Sequence, residues 1–152
     1  MTTVFDVANY ILKKKGAVTT WKLQKLLYYS QAWSLVWDEK PLFEEEFEAW
    51  ANGPVCRNLY DHHKGKFEVS HFSKGDVGAL SDDQKENIDI VLKVYGHKES
   101  QWLSDLTHLE DPWKEARHGL RPGERGNSVI TKESMALYYG GLLEEHALPI
   151  EP

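Results

Sequence analysis

Apolar residues recur at three- and four-residue spacing between Val4 and Lys15, at Phe5, Ala8, Ile11 and Leu12, and this predicts an amphipathic first helix. Lys13, Lys14 and Lys15 suit its negatively polarised end, and Gly16 stops it. Thr20 is placed to cap a second helix from Trp21 to Trp37, with Leu23, Leu26, Leu27, Ser30 and Trp33 on one stripe. Tyr28, Leu35 and Trp37 widen that stripe beyond an ordinary amphipathic face, so the second helix is expected to be central, with Leu26, Leu27 and Trp33 in the core. Asp38 to Pro41 break the period. Leu42, Phe43, Phe47, Ala49 and Trp50 then flank a glutamate run, the pattern of an extended stretch or irregular hairpin.

Asn52–Gly53–Pro54 joins a turn signal to a proline at the favoured first helical position, predicting a third helix from Pro54 to His63 that ends near Gly65. Residues 66–80 read as loop, with a short strand at 67–71. Ser81 followed by Gln84 matches a capping box, and Ile88, Val91, Leu92 and Tyr95 supply the buried stripe as far as Gly96. A further helix covers Ser100 to Leu109, with Leu103 and Leu106 inward. Asp111, as cap, and Pro112 open a short one through His118. Gly119 to Asn127 reads as an exposed basic loop, after which Thr131 caps a last helix through Met135, Leu137 and Tyr138 to Gly140. The expected fold is mainly α: a compact single domain at 1–143 with about six helices and at most a small β element near residues 42–50. Residues 144–152 are expected to form a short frayed tail.

Composition narrows the function. The 152 residues suit one domain, and Lys plus Arg (18) against Asp plus Glu (24) leave a net charge of -6, which argues against general nucleic-acid binding. One cysteine, Cys56, allows neither an internal disulfide nor a cysteine-based zinc cluster. There is no leader-like start and no long apolar run, so a cytoplasmic protein is expected, without membrane contact. Six Trp, seven Tyr and five Phe are enough for a dense core with some left over for a recognition surface or a homodimer.

Candidate chemistry is thin. Seven histidines invite a metal, yet Cys56 and His63 would stand about 10.5 Å apart along one helix and no other ligand spacing appears, so neither metal nor cofactor is expected. The glutamates Glu44, Glu45, Glu46 and Glu48 are neighbours in a polar segment, whereas acid/base carboxylates converge from separate elements. A nucleophile elbow and a phosphate-binding glycine loop are both missing, and no catalytic residue is assigned. The first two helices, with Lys22 and Lys25 early in the second, superficially resemble a helix-turn-helix, but the second carries apolar residues around much of its surface. Arg117, Arg121 and Arg125 remain the best place for a phosphate or an acidic partner.

Three blocks carry a resemblance. Leu23–Gln24–Lys25–Leu26–Leu27–Tyr28–Tyr29–Ser30–Gln31–Ala32–Trp33 is the first. The second is Pro41–Leu42–Phe43 followed by Phe47–Glu48–Ala49–Trp50–Ala51–Asn52–Gly53–Pro54–Val55 and Leu59–Tyr60. The third is His108, Pro112–Trp113–Lys114 and Ala116–Arg117, then Ile130–Thr131. In order and spacing they resemble the Panacea domain, the family of SocA-like antitoxins and GepA-like phage-associated proteins. The resemblance implies a non-catalytic, mainly helical protein that neutralises a co-encoded toxin by direct contact, in some members as an adaptor to an ATP-dependent protease. The alternative is a phage or mobile-element protein that acts on nucleic acid or transcription through the basic loop.

The candidate partner-binding residues are Trp50, Asn52, Pro54 and Arg57 around the start of the third helix, with His108 and Trp113 near the other proline-initiated helix. Helix N-termini offer free N–H donors, and an adjacent aromatic adds contact area. For Trp50 and Trp113 the competing reading is a place in the core.

Overall fold

The computed structural model describes residues 1–146. Seven α-helices are packed with a few short strands, which makes the fold mainly α. Helix α1 spans Val4–Lys15 and opens with a full capping box, in which Thr3 accepts from the Asp6 N–H and Asp6 accepts from the Thr3 N–H. Helix α2 (Thr20–Trp37) is the axis of the molecule, and every residue from Leu23 to Leu35 is buried. It is packed by α1, by α4 (Asp82–Tyr95), α5 (Ser100–Leu109) and α7 (Lys132–His146), and by strand β3 (Gly53–Cys56). A helix enclosed on all sides has no polar face, which is why its stripe is so wide in the sequence. Its cap is Thr19, one residue before the expected Thr20, because Thr20 is buried and donates to the Lys66 carbonyl.

The third helix starts later than its proline suggested. Gly53–Cys56 forms an antiparallel hairpin with β2 (Phe47–Trp50), with Trp50 facing Gly53 and Ala49 facing Pro54, and α3 runs only over Arg57–His63. Proline is accommodated because β3 is the edge of its sheet, whose order is β3-β2-β5 with β5 at Val129–Ile130. A second small sheet pairs β1 (Val18–Thr19) with β4 (Glu68–Val69), the latter within the expected short strand at 67–71.

The capping box of α4 stands as read, with Ser81 and Gln84 bonded in both directions. In α5, Leu103 is fully buried and Leu106 only partly. Helix α6 spans Asp111–Ala116; its cap residue is Glu110 rather than Asp111, and it closes before His118. Helix α7 continues through Gly140–Gly141 to His146, because Tyr139, Leu142 and Leu143 on it pack against the core. Of the tail expected to be frayed, residues 144–146 thus belong to α7 and the rest lie outside the described residues. Among the described residues no helix is long and apolar enough to cross a membrane.

Two glutamines seven residues apart on α2 explain why the first two sequence blocks occur together. Gln24 accepts from the Cys56 N–H at 2.8 Å and donates to the Cys56 carbonyl at 3.2 Å, clamping the end of β3. Gln31 accepts from the Leu42 N–H and donates to the Phe43 carbonyl, both at 2.7 Å, clamping the Pro41–Leu42–Phe43 segment. Each amide replaces the strand partner that an edge or a loop lacks, so buried backbone groups stay paired.

Candidate functional site

The hairpin places the two-residue turn Ala51–Asn52 at the surface, and α5 and α6 come up on one side of it. Trp113 on α6 donates its indole N–H to the Trp50 carbonyl at 2.8 Å, and Arg117 donates to the Ala49 carbonyl at 2.9 Å. The guanidinium of Arg117 lies 5.0 Å from the centre of the Trp113 ring and also donates to the Arg121 and Glu124 carbonyls. Arg117 is buried and fully used in holding the loop, so it is not part of the exposed basic patch that the sequence suggested. Arg121 and Arg125 are exposed.

Three clefts meet at this turn. The largest, about 490 Å³, is lined by Trp21, Trp50, Asn52, Arg57, Lys64 and Arg125 among others. A second, about 210 Å³, lies between α2 and the start of α5 and is lined by Lys25, Asn52 and His108. The third, about 340 Å³, runs past His108, Trp113, Lys114 and Arg121. Five of the six candidate residues border these clefts: Trp50, Asn52, Arg57, His108 and Trp113. Pro54 does not, being buried in the hairpin opposite Ala49.

Trp50 and Trp113 lie between the core and the surface. Each is half-buried and hydrogen-bonded into the scaffold, yet each presents part of its ring to a cleft. The rings are held in place: Arg57 covers Trp50 at 5.1 Å and is paired with Glu48 at 3.1 Å, while Tyr60 meets Trp50 edge-on at 4.8 Å. His108 lies against Trp113 with ring centres 4.1 Å apart.

The clefts carry one sign of charge. Arg57, Lys64, Arg125, Lys25, Lys114, Arg117 and Arg121 line them, and no carboxylate does so among the described residues. On a chain of net charge -6 this face is a local reversal of sign. The surface between α6 and α7 is the opposite, a cleft of about 420 Å³ lined by Asp111, Glu115 and Glu145.

Lys25 is the residue that the sequence singled out only as part of a superficial helix-turn-helix resemblance, and the structure buries it. It is 1% exposed, its ammonium has no hydrogen-bond partner among the described residues, and burial lowers its pKa from 10.5 to about 7. Its stem passes beneath Gly53, where a Cβ would stand 2.6 Å from the Lys25 Cε, so glycine is required both for that passage and for the local φ of +123°. The signal that might have found it is its neighbour: a lysine flanked by Gln24 and Leu26 on a helix with no polar face has nowhere exposed to point. His108 Nε2 is likewise buried without a partner, and burial lowers that ring's pKa, with Asp105 acting the other way.

Cys56 ends β3 instead of lying on a helix, and burial pushes its thiol up to about 11, away from the thiolate a nucleophile needs. Among the described residues no three His, Cys, Asp or Glu side chains gather as metal ligands would.

These two clamped blocks and the Trp113 helix are the region matched by the family model for the antitoxin SocA-like Panacea domain, which covers residues 23–114, and the chain belongs to that family of antitoxins. Among curated proteins it is similar to Antitoxin SocA of Caulobacter vibrioides (strain NA1000 / CB15N), at 29% identity over 130 residues that cover 74% of this chain and 69% of the relative. No solved structure matches it.

Proposed function

We propose that the protein neutralises a co-encoded toxin by direct, non-catalytic contact, and that the toxin docks on the cationic face around the Ala51–Asn52 turn. The observation that carries this reading is the convergence of three clefts whose lining holds five exposed cations, Arg57, Lys64, Lys114, Arg121 and Arg125, and no carboxylate among the described residues, with Trp21, Trp50 and Trp113 set among them. Half-buried aromatics fixed by the scaffold are efficient anchors because little side-chain freedom is lost on docking, and the surrounding charge steers an acidic partner. Membership of an antitoxin family supplies the kind of partner, and the charge supplies the complementary surface.

The toxin is expected to be the product of an adjacent reading frame and to elute with this chain from a sizing column; the same profile reports whether the complex holds one copy or a homodimer. The side chains of Lys64 and Arg125 are exposed and make no described hydrogen bond, so Lys64→Glu with Arg125→Glu is expected to reverse the charge of the face and leave the fold intact. That double variant is expected to abolish co-elution and growth rescue. Retained rescue with lost toxin protein, dependent on an ATP-dependent protease in the cytoplasm, would mark delivery to degradation as the outcome of docking. Salt-sensitive binding of DNA by the parent and not by the variant would instead support the nucleic-acid reading of Arg121 and Arg125.

A further inference from the structure

We propose that the cleft beneath the Ala51–Asn52 turn is a binding site for a single carboxylate, held by the Lys25 ammonium and by the imidazole of His108 in the last turn of α5. Where the carboxylate belongs to the toxin, this deepens the docking reading above and rests on it.

The cleft, about 210 Å³, has the size of a small acidic group, and its walls include Lys25, His108, Ser100 and Gln101. Two buried polar atoms in those residues, Lys25 Nζ and His108 Nε2, have no partner among the described residues. A buried ammonium without an acceptor is expensive, and native proteins rarely keep one without a use. Everything around it favours an anion. The Trp21 ring lies 4.9 Å from the ammonium and fixes it by cation–π attraction without offering a hydrogen-bond acceptor. The Ser104 hydroxyl, also in the cleft, donates to the Asn52 carbonyl and makes no described hydrogen bond with the ammonium.

Ser100 and Gln101, in the first turn of α5, line the far part of the cleft, about 10 Å along the helix axis from His108.

A single carboxylate fits better than a phosphate. One ammonium matches one negative charge, and the bidentate guanidinium forks that favour phosphate lie outside this cleft. The ammonium is covered, so an incoming carboxylate is met by rotation of the outer bonds of the lysine; its charge favours the protonated form of Lys25, and the neutral imidazole of His108 can donate from Nε2.

The test is a backbone amide NMR titration of the full chain with sodium acetate, against sodium chloride at matched ionic strength. Saturable acetate-specific shifts at Gly53, Ser100 and Gln101 are expected, with affinity at least roughly tenfold weaker in Lys25→Met, the loss a charge-assisted hydrogen bond brings. Gln101→Glu, an exposed position at the cleft, supplies an internal carboxylate and is expected to weaken acetate binding as well. It decides the matter if Lys25→Met does not fold. Equal shifts with acetate and chloride, or undiminished acetate binding in the variants, would overturn the proposal. With the toxin added, displacement of acetate assigns the carboxylate to an acidic side chain or terminus of the toxin, and retention assigns it to a free carboxylate. Acetate binding and co-elution are measured separately, so either reading fails without the other.

Discussion

Two ionisable groups of opposite sign are buried against the central helix α2, Lys25 in its second turn and Glu110 on Tyr29 one turn further along, and they are treated differently. Glu110 is 5% exposed and its Oε1 accepts from two hydroxyls: Tyr29 donates at 2.6 Å and Tyr139 at 2.7 Å. A hydroxyl has one proton, so the 3.2 Å contact between Tyr139 and Tyr28 is a bond in which Tyr28 donates. The ring of Tyr29 stacks on Tyr95 at 4.3 Å, and Tyr95 in turn accepts from the Trp33 indole. Lys25, 1% exposed, has a tryptophan face and no acceptor. The Glu110 site is closed, and it specifies how α2, α6 and α7 pack. The Lys25 site is open, and that is where the cationic clefts lie.

If this distinction is right, substitutions at the two sites should differ in sign. Glu110→Ala strands the Tyr29 and Tyr139 hydroxyls and is expected to cost about 3 kcal/mol in urea unfolding. Gln24→Ala, next to Lys25 but fully bonded, leaves the Cys56 N–H and carbonyl unpaired and is expected to cost about 2 kcal/mol. Lys25→Met removes an unpaired buried charge and fills the same space, so a stabilisation of about 1–2 kcal/mol is expected at neutral pH. A destabilisation by Lys25→Met would mean that the ammonium is structural and would erase the comparison.

The pH dependence separates the sites further. Burial raises Glu110 from 4.5 to about 7, with its tyrosine bonds acting in the opposite direction. Between those values the folded chain holds a proton that the unfolded chain has lost, so this group makes stability fall as pH rises. Burial lowers Lys25 from 10.5 to about 7, so above pH 7 the unfolded chain holds the extra proton and stability rises with pH. Each limb has a maximal slope of about 1.4 kcal/mol per pH unit, and together they place a minimum near pH 7. Subtracting the curve of Lys25→Met from that of the parent should isolate the alkaline limb, and Glu110→Gln the acidic one. The smallest effect is expected at the surface: Arg57→Ala breaks an exposed pair with Glu48 and should change stability by less than about 1 kcal/mol.

What the sequence made legible follows the range of the interactions. The capping box at Ser81, the stop at Gly16 and the wide stripe of α2 are local patterns, and they appear where expected. Pro54 misled because its local preference for a helix start was overruled by a long-range clamp, Gln24 on Cys56. Five of the six candidate residues proved to border one face because the sequence blocks that contain them are held around one turn. Lys25, Glu110 and Arg117 were hidden, since a buried charge and a solvated one are written with the same letter. Only their surroundings, Gly53 at 28 residues from Lys25 and Tyr139 and Tyr29 at 29 and 81 residues from Glu110, show which is which.

The most direct measurement is the affinity of the proposed toxin partner for Lys25→Met, taken alongside that variant's unfolding curve. The expected result is binding weakened by roughly tenfold or more in a protein at least as stable as the parent. Undiminished toxin binding, or weaker binding that merely tracks a loss of stability, would contradict the account.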